Sequence, residues 1–309
     1  MPQNDLWYFP YTLTTSQQAQ TYGALLRIND GLGAIHPWIQ FGDLPLDQQL
    51  ASIKNDIPTQ LAKRSLYYID IDRDARQKGI SLFQDFKKFK SHKLFISIDS
   101  INLENINNLE TVKIKISNSN NYIENLNKLS DIDNLKIRLD ANCKFSFDEF
   151  CIFWDSLNQS VKTKIEFIED PCPYDDKTWA ILAGNKNVPI AYDFYGNNQI
   201  KDYYKYRVIK PVVQQFEDVI CDEVNRGVNI CITSSLDHPL GVCIAAWEYN
   251  KLNKNHPGSL VTPGLTSFTN YQKDIFSEII WDSNDQFKAP NGTGFGFDDL
   301  LDKLQWQKL

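Results

Sequence analysis

Between Val112 and Pro211 five short apolar runs each deliver a charged residue. They read Lys113-Ile-Lys115, Arg138-Leu-Asp140-Ala-Asn142, Phe167-Ile-Glu169-Asp-Pro171, Ala191-Tyr-Asp193 and Val208-Ile-Lys210-Pro211. Asp140, Glu169 and Asp193 lie about one strand-plus-helix apart, with lysines before and after them. In parallel α/β architectures the carboxyl ends of the strands are where sites assemble. Three carboxylates from adjacent strand ends converge only if a cation offsets their repulsion, and all-oxygen ligation suits Mg²⁺. A single acidic residue at a strand end more often caps the next helix; the ordered set carries the reading. Among Glu166, Glu169 and Asp170, Glu169 shares the parity of Phe167 and immediately precedes Asp170-Pro171. Asn142 is placed to support the site from behind the ligands.

The lysines complete the chemistry. Lys113 and Lys115 are two apart in a strand and so point to one face, where each cation favours loss of the other's proton. Lys210 follows Val208-Ile209 and faces the same mouth from the far side. Taken alone, a Lys-x-Lys pair or a lysine before proline reads as solvated surface. In this series the two lysine ends flank a carboxylate-held cation, which is what proton abstraction beside a substrate carboxylate requires. One lysine takes the proton and the other steadies the developing charge. After the next strand, Thr233-Ser234-Ser235-Leu236-Asp237 and the residues to Gly241 form a polar turn able to hold a substrate carboxylate, or simply a polar loop that starts a helix.

The elements that must position these groups are legible as pattern. From Lys93 a strand–helix beat sets in, with strands expected at Leu94–Ile98, Val112–Ile116, Leu135–Leu139, Lys164–Ile168, Val188–Tyr192, Tyr206–Ile209 and Val228–Ile232. Helices are expected at Phe147–Leu157, Phe216–Arg226 and Val242–Leu252. Seven such units imply a parallel sheet, opened out or closed into a barrel. The Asn-rich stretch from Asn102 to Asn127 is a composition bias rather than a linker, since Ile123, Leu126 and Leu129 keep helical spacing. Before Lys93 there is no such beat. Strand-like runs at Leu6–Leu13 and Gly23–Ile28, a hairpin-type signal at Asp30-Gly31-Leu32-Gly33, and helical stretches at Leu46–Ile53 and Leu61–Arg64 suggest a small α+β domain. The division read from these patterns is 1–92, 93–267 and a tail, 268–309, that packs back on the first domain. The Gly-rich turn Asn291–Gly296 lacks a preceding strand and a following Lys-Ser/Thr, which argues against a phosphate loop.

Composition narrows the partners. The chain has 309 residues and a net charge of -7 without a basic cluster, arguing against nucleic acid and anionic membranes. No run approaches the roughly 20 apolar residues of a membrane span. The start shows no basic and apolar leader, so a cytoplasmic protein is expected. The six cysteines form no C-x-x-C pair and are expected to be reduced and mostly buried. The four histidines are scattered, and acid–base chemistry is expected to rest on other residues.

The five segments, in that order, resemble the enolase superfamily, and within it the muconate-lactonizing subgroup, which has lysines on both sides of the metal. The match runs from about Thr111 to Thr266 and more loosely over the preceding domain. The Thr233–Gly241 segment and the Pro263-Gly264-Leu265 turn look specifically like the o-succinylbenzoate synthase family. The resemblance implies a (β/α)7β barrel capped by an α+β domain made from both termini. It implies Mg²⁺ on Asp140, Glu169 and Asp193, Lys115 as base, Lys210 as the stabilising cation and Lys113 tuning Lys115. Thr233, Ser234, Ser235 and Gly264 would contact substrate, and Gly31–Trp38 would correspond to the family's lid loop. The implied reaction is syn dehydration of 2-succinyl-6-hydroxy-2,4-cyclohexadiene-1-carboxylate to 2-succinylbenzoate, a step toward menaquinone. Two departures stand out: Ala34 and Phe194 occupy places where the family often carries an acid. A racemase or epimerase using the same two lysines is the nearest alternative, although Asp237-His238-Pro239 does not supply the acidic pair expected of the dipeptide enzymes. A barrel that only binds small acids, or a Schiff-base lyase on Lys210, are more distant ones.

Overall fold

A computed structural model describes residues 5–98, 101, 106, 109–117, 122–193, 201–281 and 286–309. Its first sheet is antiparallel, built from β1 (Leu6–Thr14), β2 (Gln20–Ile28) and β3 (Gly31–Ile35). The two-residue loop between β2 and β3 is Asn29-Asp30, with φ of 47° and 68°. Positive φ at both positions is the twist-matched hairpin geometry. The turn thus lies one residue earlier than the Asp30-Gly31 signal suggested, and Gly31 opens β3 opposite Ile28. Gly31 and Gly33 serve close packing instead: at Gly33 a Cβ would come within 2.6 Å of Ile69 Cγ1.

Ile69 belongs to the second of two helices laid over this sheet, α1 (Leu46–Lys54) and α2 (Gln60–Gln77). The sequence showed only the first turn of α2, because buried Arg64, Ser65 and Asp72 interrupt its apolar face. Each is satisfied by a specific partner. Arg64 Nε donates to the Pro211 carbonyl, Ser65 Oγ to the Ala34 carbonyl, and Asp72 accepts from the N–H groups of Leu32 and Phe295.

Among the described residues the second sheet is parallel and seven-stranded: β4 (Lys93–Phe95), β5 (Thr111–Lys115), β6 (Lys136–Asp140), β7 (Ile165–Glu169), β8 (Ile190–Tyr192), β9 (Tyr206–Ile209) and β10 (Asn229–Ile232), adjacent in chain order. Between and after them lie α3 (Tyr122–Lys128), α4 (Phe147–Ser156), α5 (Gln159–Lys162), α6 (Asp176–Asn185), α7 (Ile220–Asn225) and α8 (Pro239–Asn255). The segment after α8 closes the ring. Residues 259–264 hydrogen-bond β10 on one side, and the Pro263 carbonyl accepts from the His92 N–H at the head of β4 on the other. The fold is therefore the (β/α)7β barrel with its α+β cap.

Alternation along the strands sorts the side chains. Phe167, Ala191, Val208 and Cys231 fill the barrel interior, while Ile137, Leu139 and Ile168 pack outward against the helices. Expected barrel-strand positions agree to within one residue except for β4, which is shorter, and β8, which starts two residues later. α7 is half the expected length, since Phe216 lies in the turn before it.

The tail returns to the cap. After α9 (Asp298–Leu301), β11 (Gln307–Lys308) pairs with β1 through Trp7 and Tyr8. The Gly-rich turn before α9 is a clasp. Arg76 Nη1 donates to Asp298 Oδ1 over 2.6 Å, and Arg76 Nε to Asp72 over 2.6 Å. All six cysteines are free, but only Cys172, Cys231 and Cys243 are buried; Cys143 and Cys221 are exposed and Cys151 is intermediate. The expectation of mostly buried thiols thus holds for half of them. Among the described residues no helix is long and apolar enough to cross a membrane.

Candidate active site

Register places the charged residues side by side. Lys115 lies opposite Asp140, and Asp140 opposite Glu169, at the ends of β5, β6 and β7. Asp193 and Lys210 directly follow β8 and β9. Lys113, Lys115, Asp140, Asp193 and Lys210 line a cavity of about 420 Å³ at the barrel mouth. Glu169 is fully buried beneath them.

Each carboxylate is met by an ammonium group. Lys113 Nζ donates to Glu169 Oε2 over 2.5 Å and stands 3.0 Å from Asp140 Oδ2. Lys210 Nζ donates to Asp193 Oδ1 over 2.6 Å and also contacts Oδ2. Asn142 donates its side-chain amide to Asp140 Oδ1 over 2.7 Å, and its φ of 46° turns the backbone N–H to the same oxygen. Glu166, the alternative to Glu169, lies elsewhere: it accepts from Arg138 and Lys136.

The electrostatics separate the two lysines of β5. Burial pulls Lys113 down, but Asp140, Glu169 and Asp193 outweigh it and raise it well above the ordinary lysine value. It is a fixed cation. Lys115 is pulled below the ordinary value by burial, with Lys113 and Lys210 adding to the shift against the pull of Asp140. Burial pushes Glu169 up to about 7 despite Lys113. Asp170, half-buried at the mouth, is driven up by its partial burial and by Asp193, Asp140 and Glu169.

The donor set fits a hard divalent cation. It is all oxygen, from three adjacent strand ends, and the buried Oε1 of Glu169 has no hydrogen-bond partner among the described residues. With the carboxylates drawn to lysines, no three acidic, histidine or cysteine side chains close on one point among the described residues.

The loop after β10 supplies the opposite wall. Thr233, Ser234 and Ser235 line the cavity together with Gly264. Ser234 N–H donates to the Gly264 carbonyl, and its hydroxyl lies 2.5 Å from Ser267 Oγ. Asp237 turns away, fully buried over Gly241 at the start of α8, and burial lifts it to about 7. Of the segment expected as a lid, Gly31–Ile35 is buried strand, including Ala34. Trp38 and Phe41 reach the cavity, and Trp38 Nε1 donates to the Ser235 carbonyl over 2.8 Å. Phe194 lies outside the described residues. The sequence reading missed His92, Leu94, Cys143, Thr266 and Ser267 as cavity-lining residues. His92 and Leu94 share one parity at the first barrel strand, the signal that could have found them.

Residues 6–75 match the family model described as O-succinylbenzoate synthase, N-terminal domain. The chain is 28% identical to the o-succinylbenzoate synthase of Bdellovibrio bacteriovorus, covering 98% of each. Its fold is similar to the mandelate racemase/muconate lactonizing protein from Herpetosiphon aurantiacus, with a TM-score of 0.76 at 12% identity, covering 96% of this chain and 98% of that one. The L-Ala-D/L-Glu epimerase from Bacillus subtilis superposes with a TM-score of 0.76 at 15% identity over the same shares. By its N-terminal domain, its end-to-end likeness to a named synthase and its barrel-and-cap fold, the chain is an enzyme similar to the o-succinylbenzoate synthases, with the fold of the mandelate racemase/muconate lactonizing proteins.

Proposed function

We propose that this enzyme is an o-succinylbenzoate synthase, carrying out Mg²⁺-dependent syn dehydration of 2-succinyl-6-hydroxy-2,4-cyclohexadiene-1-carboxylate to 2-succinylbenzoate in menaquinone biosynthesis. The observation that carries it is the run Lys115, Asp140, Glu169, Asp193, Lys210 on five successive strand ends around one cavity. Asp140, Glu169 and Asp193 would hold Mg²⁺, which when bound neutralises the substrate carboxylate and so acidifies the carbon beside it.

Lys115, pulled below the ordinary lysine value by burial and by Lys113 and Lys210, takes the proton from that carbon in its neutral form. Syn geometry leaves the departing hydroxyl on the same face, next to the ammonium just formed. Proton and hydroxide leave together as water, and the ring becomes aromatic. Lys210 stays charged on the opposite face and steadies the negative charge that grows on the carboxylate oxygens. Lys113 remains a cation beneath Lys115 and keeps it poised. Asn142 holds Asp140, and the wall of Thr233, Ser234, Ser235 and Gly264 receives the rest of the acid. The same reading divides the chain at 92 and 267 and makes the protein cytoplasmic, acting on a small carboxylate.

A second reading, racemisation of N-acylamino acids by Lys115 and Lys210 as paired bases, is favoured by the likeness to the epimerase fold. Against the dipeptide form of it, Asp237 points away from the cavity. The deciding experiment follows loss of cyclohexadiene absorbance with the purified protein in Mg²⁺ and then in EDTA. Conversion to 2-succinylbenzoate that EDTA abolishes and Mg²⁺ restores is expected. Racemisation of N-succinylamino acids without any dehydration would replace the first reading by the second.

A further inference from the structure

His92 heads β4, is 4 % exposed and lines the cavity. One edge of its ring is fully engaged. Arg138 Nη1 lies 2.7 Å from His92 Nδ1. A guanidinium has hydrogens to give and no lone pair to offer, so Nδ1 is the acceptor. The proton of the neutral ring is therefore on Nε2. A doubly protonated ring would set N–H against N–H, and burial beside Arg138 and Lys113 likewise pulls the imidazole well below its ordinary value.

The arrangement has little freedom to change. Arg138 is fully buried. Its Nε donates to Glu166 Oε2 over 2.7 Å, its Nη1 also donates to the Thr262 carbonyl over 2.7 Å, and its guanidinium lies 4.8 Å from the Phe167 ring centre. The His92 backbone is held as firmly: its N–H donates to Pro263 over 2.9 Å, and its carbonyl accepts from Thr266 Oγ1 over 2.8 Å.

The other edge of the ring is open to the cavity. Among the described residues no group pairs with Nε2, yet it is not sealed in as the unpartnered His36 Nε2 is. It abuts Gly264, where a Cβ would come within 2.6 Å of Nε2. The absence of a side chain there leaves this edge uncovered, so a fixed donor is presented to the floor of a cavity whose other polar groups include lysines, carboxylates, hydroxyls and the Asn142 amide.

We propose that His92 is a substrate-binding residue whose Nε2–H donates a hydrogen bond to a carboxylate or carbonyl oxygen of the bound acid, with Arg138 as the positioning residue that holds the donor tautomer. The inference rests on the reading that this cavity takes a carboxylate substrate.

The test is nitrogen NMR of the full-length, Mg²⁺-supplied protein labelled with ¹⁵N-histidine, the His92 signals assigned by their loss in His92→Gln. The probes are 2-succinylbenzoate and N-succinylphenylglycine. Expected from pH 6 to 8 is an unprotonated Nδ1 and a protonated Nε2, with bound ligand moving Nε2 and leaving Nδ1 nearly still. His92→Leu should weaken ligand binding and raise KM about 10- to 100-fold with a smaller change in kcat, and His92→Gln should recover part of the loss. If only N-succinylphenylglycine binds and moves Nε2, the dehydratase reading falls and the role of His92 stands. A proton on Nδ1, an imidazolium at pH 7, or an Nε2 signal that neither ligand moves overturns the proposal, as does wild-type affinity in a folded His92→Leu. Should that variant not fold, the wild-type spectra decide alone.

Discussion

Lys113 and Lys115 are identical in chemistry, share one strand face and differ only in neighbours. Lys113 touches Asp140 and Glu169 and is held charged, whereas no carboxylate pairs with Lys115 among the described residues. Burial therefore works on Lys115 with less opposition and pulls it below the ordinary lysine value. A base acts in its neutral form, so kcat/KM is expected to rise with pH along a limb centred below the ordinary lysine range. Lys210→Met removes one of the cations that lower Lys115, so any residual activity should show that limb displaced upward. Lys115→Ala should lose about 10²- to 10⁴-fold in kcat, with the fold intact by circular dichroism. A Lys115→Ala variant at wild-type rate would end the assignment of the base. At this scale the sequence was informative about residue type and order. It could not say which lysine stays charged, because that depends on which carboxylates the folded barrel places within 3.0 Å.

Helix ends show which parts of an element matter to the site. α4 begins on a reciprocal cap: Glu149 N–H donates to Ser146 Oγ, and Ser146 N–H donates to Glu149 Oε2 over 2.7 Å. This end is exposed and does not line the cavity, so Ser146→Ala should cost about 1 kcal/mol in urea unfolding with kcat/KM unchanged. α8 begins differently. Its Gly241 lies against the Asp237 carboxyl, so any Cβ there collides with a buried group that ends the Thr233–Asp237 loop. Gly241→Ala is expected to cost about 1–3 kcal/mol and also to raise KM, because relief of the collision must move that loop. If Gly241→Ala loses stability with KM untouched, the loop is not coupled to the start of α8. The apolar beat made these helices legible. The contact that makes Gly241 necessary joins a loop to a helix, and no periodicity reports it.

Cap and barrel meet over a buried aromatic and polar cluster. Tyr11 on β1 lies 3.2 Å from His36 Nδ1 through its hydroxyl, and its ring centre is 4.7 Å from that of His238 before α8. Burial holds both His36 and His238 down at about 4. The unfolded chain then binds protons first, so this stability is present above pH 6.5 and is lost as pH falls toward 4, by up to about 3 kcal/mol for each ring. Asp237, lifted to about 7, has the opposite sign: its contribution is full at low pH and is lost as pH rises through 7. It offsets roughly one of the two rings between pH 6.5 and 4, leaving a net loss of about 3 kcal/mol from this cluster. His36→Gln should lose less stability than the parent between pH 7 and 4.5 in urea titrations. Parallel curves for the two proteins would show that this cluster does not set the acid limb.

The ordered series of strand-end charges was legible without coordinates because a parallel barrel turns chain order into spatial order. Successive strands are neighbours, alternate residues face inward, and so Asp140, Glu169 and Asp193 fall side by side. The same regularity foretold a parallel sheet, opened out or closed into a barrel, and, with the turn and helix signals, a small α+β domain; the family resemblance pointed to the closed, capped form. Tertiary structure decided the rest. Closure through residues 259–264, which have almost no regular strand, brought His92 from the first barrel strand against Gly264. It also carried Trp38 from the cap to Ser235, 197 residues along the chain. Contacts of this kind depend on where two unrelated segments end in space, and local pattern holds no record of that distance.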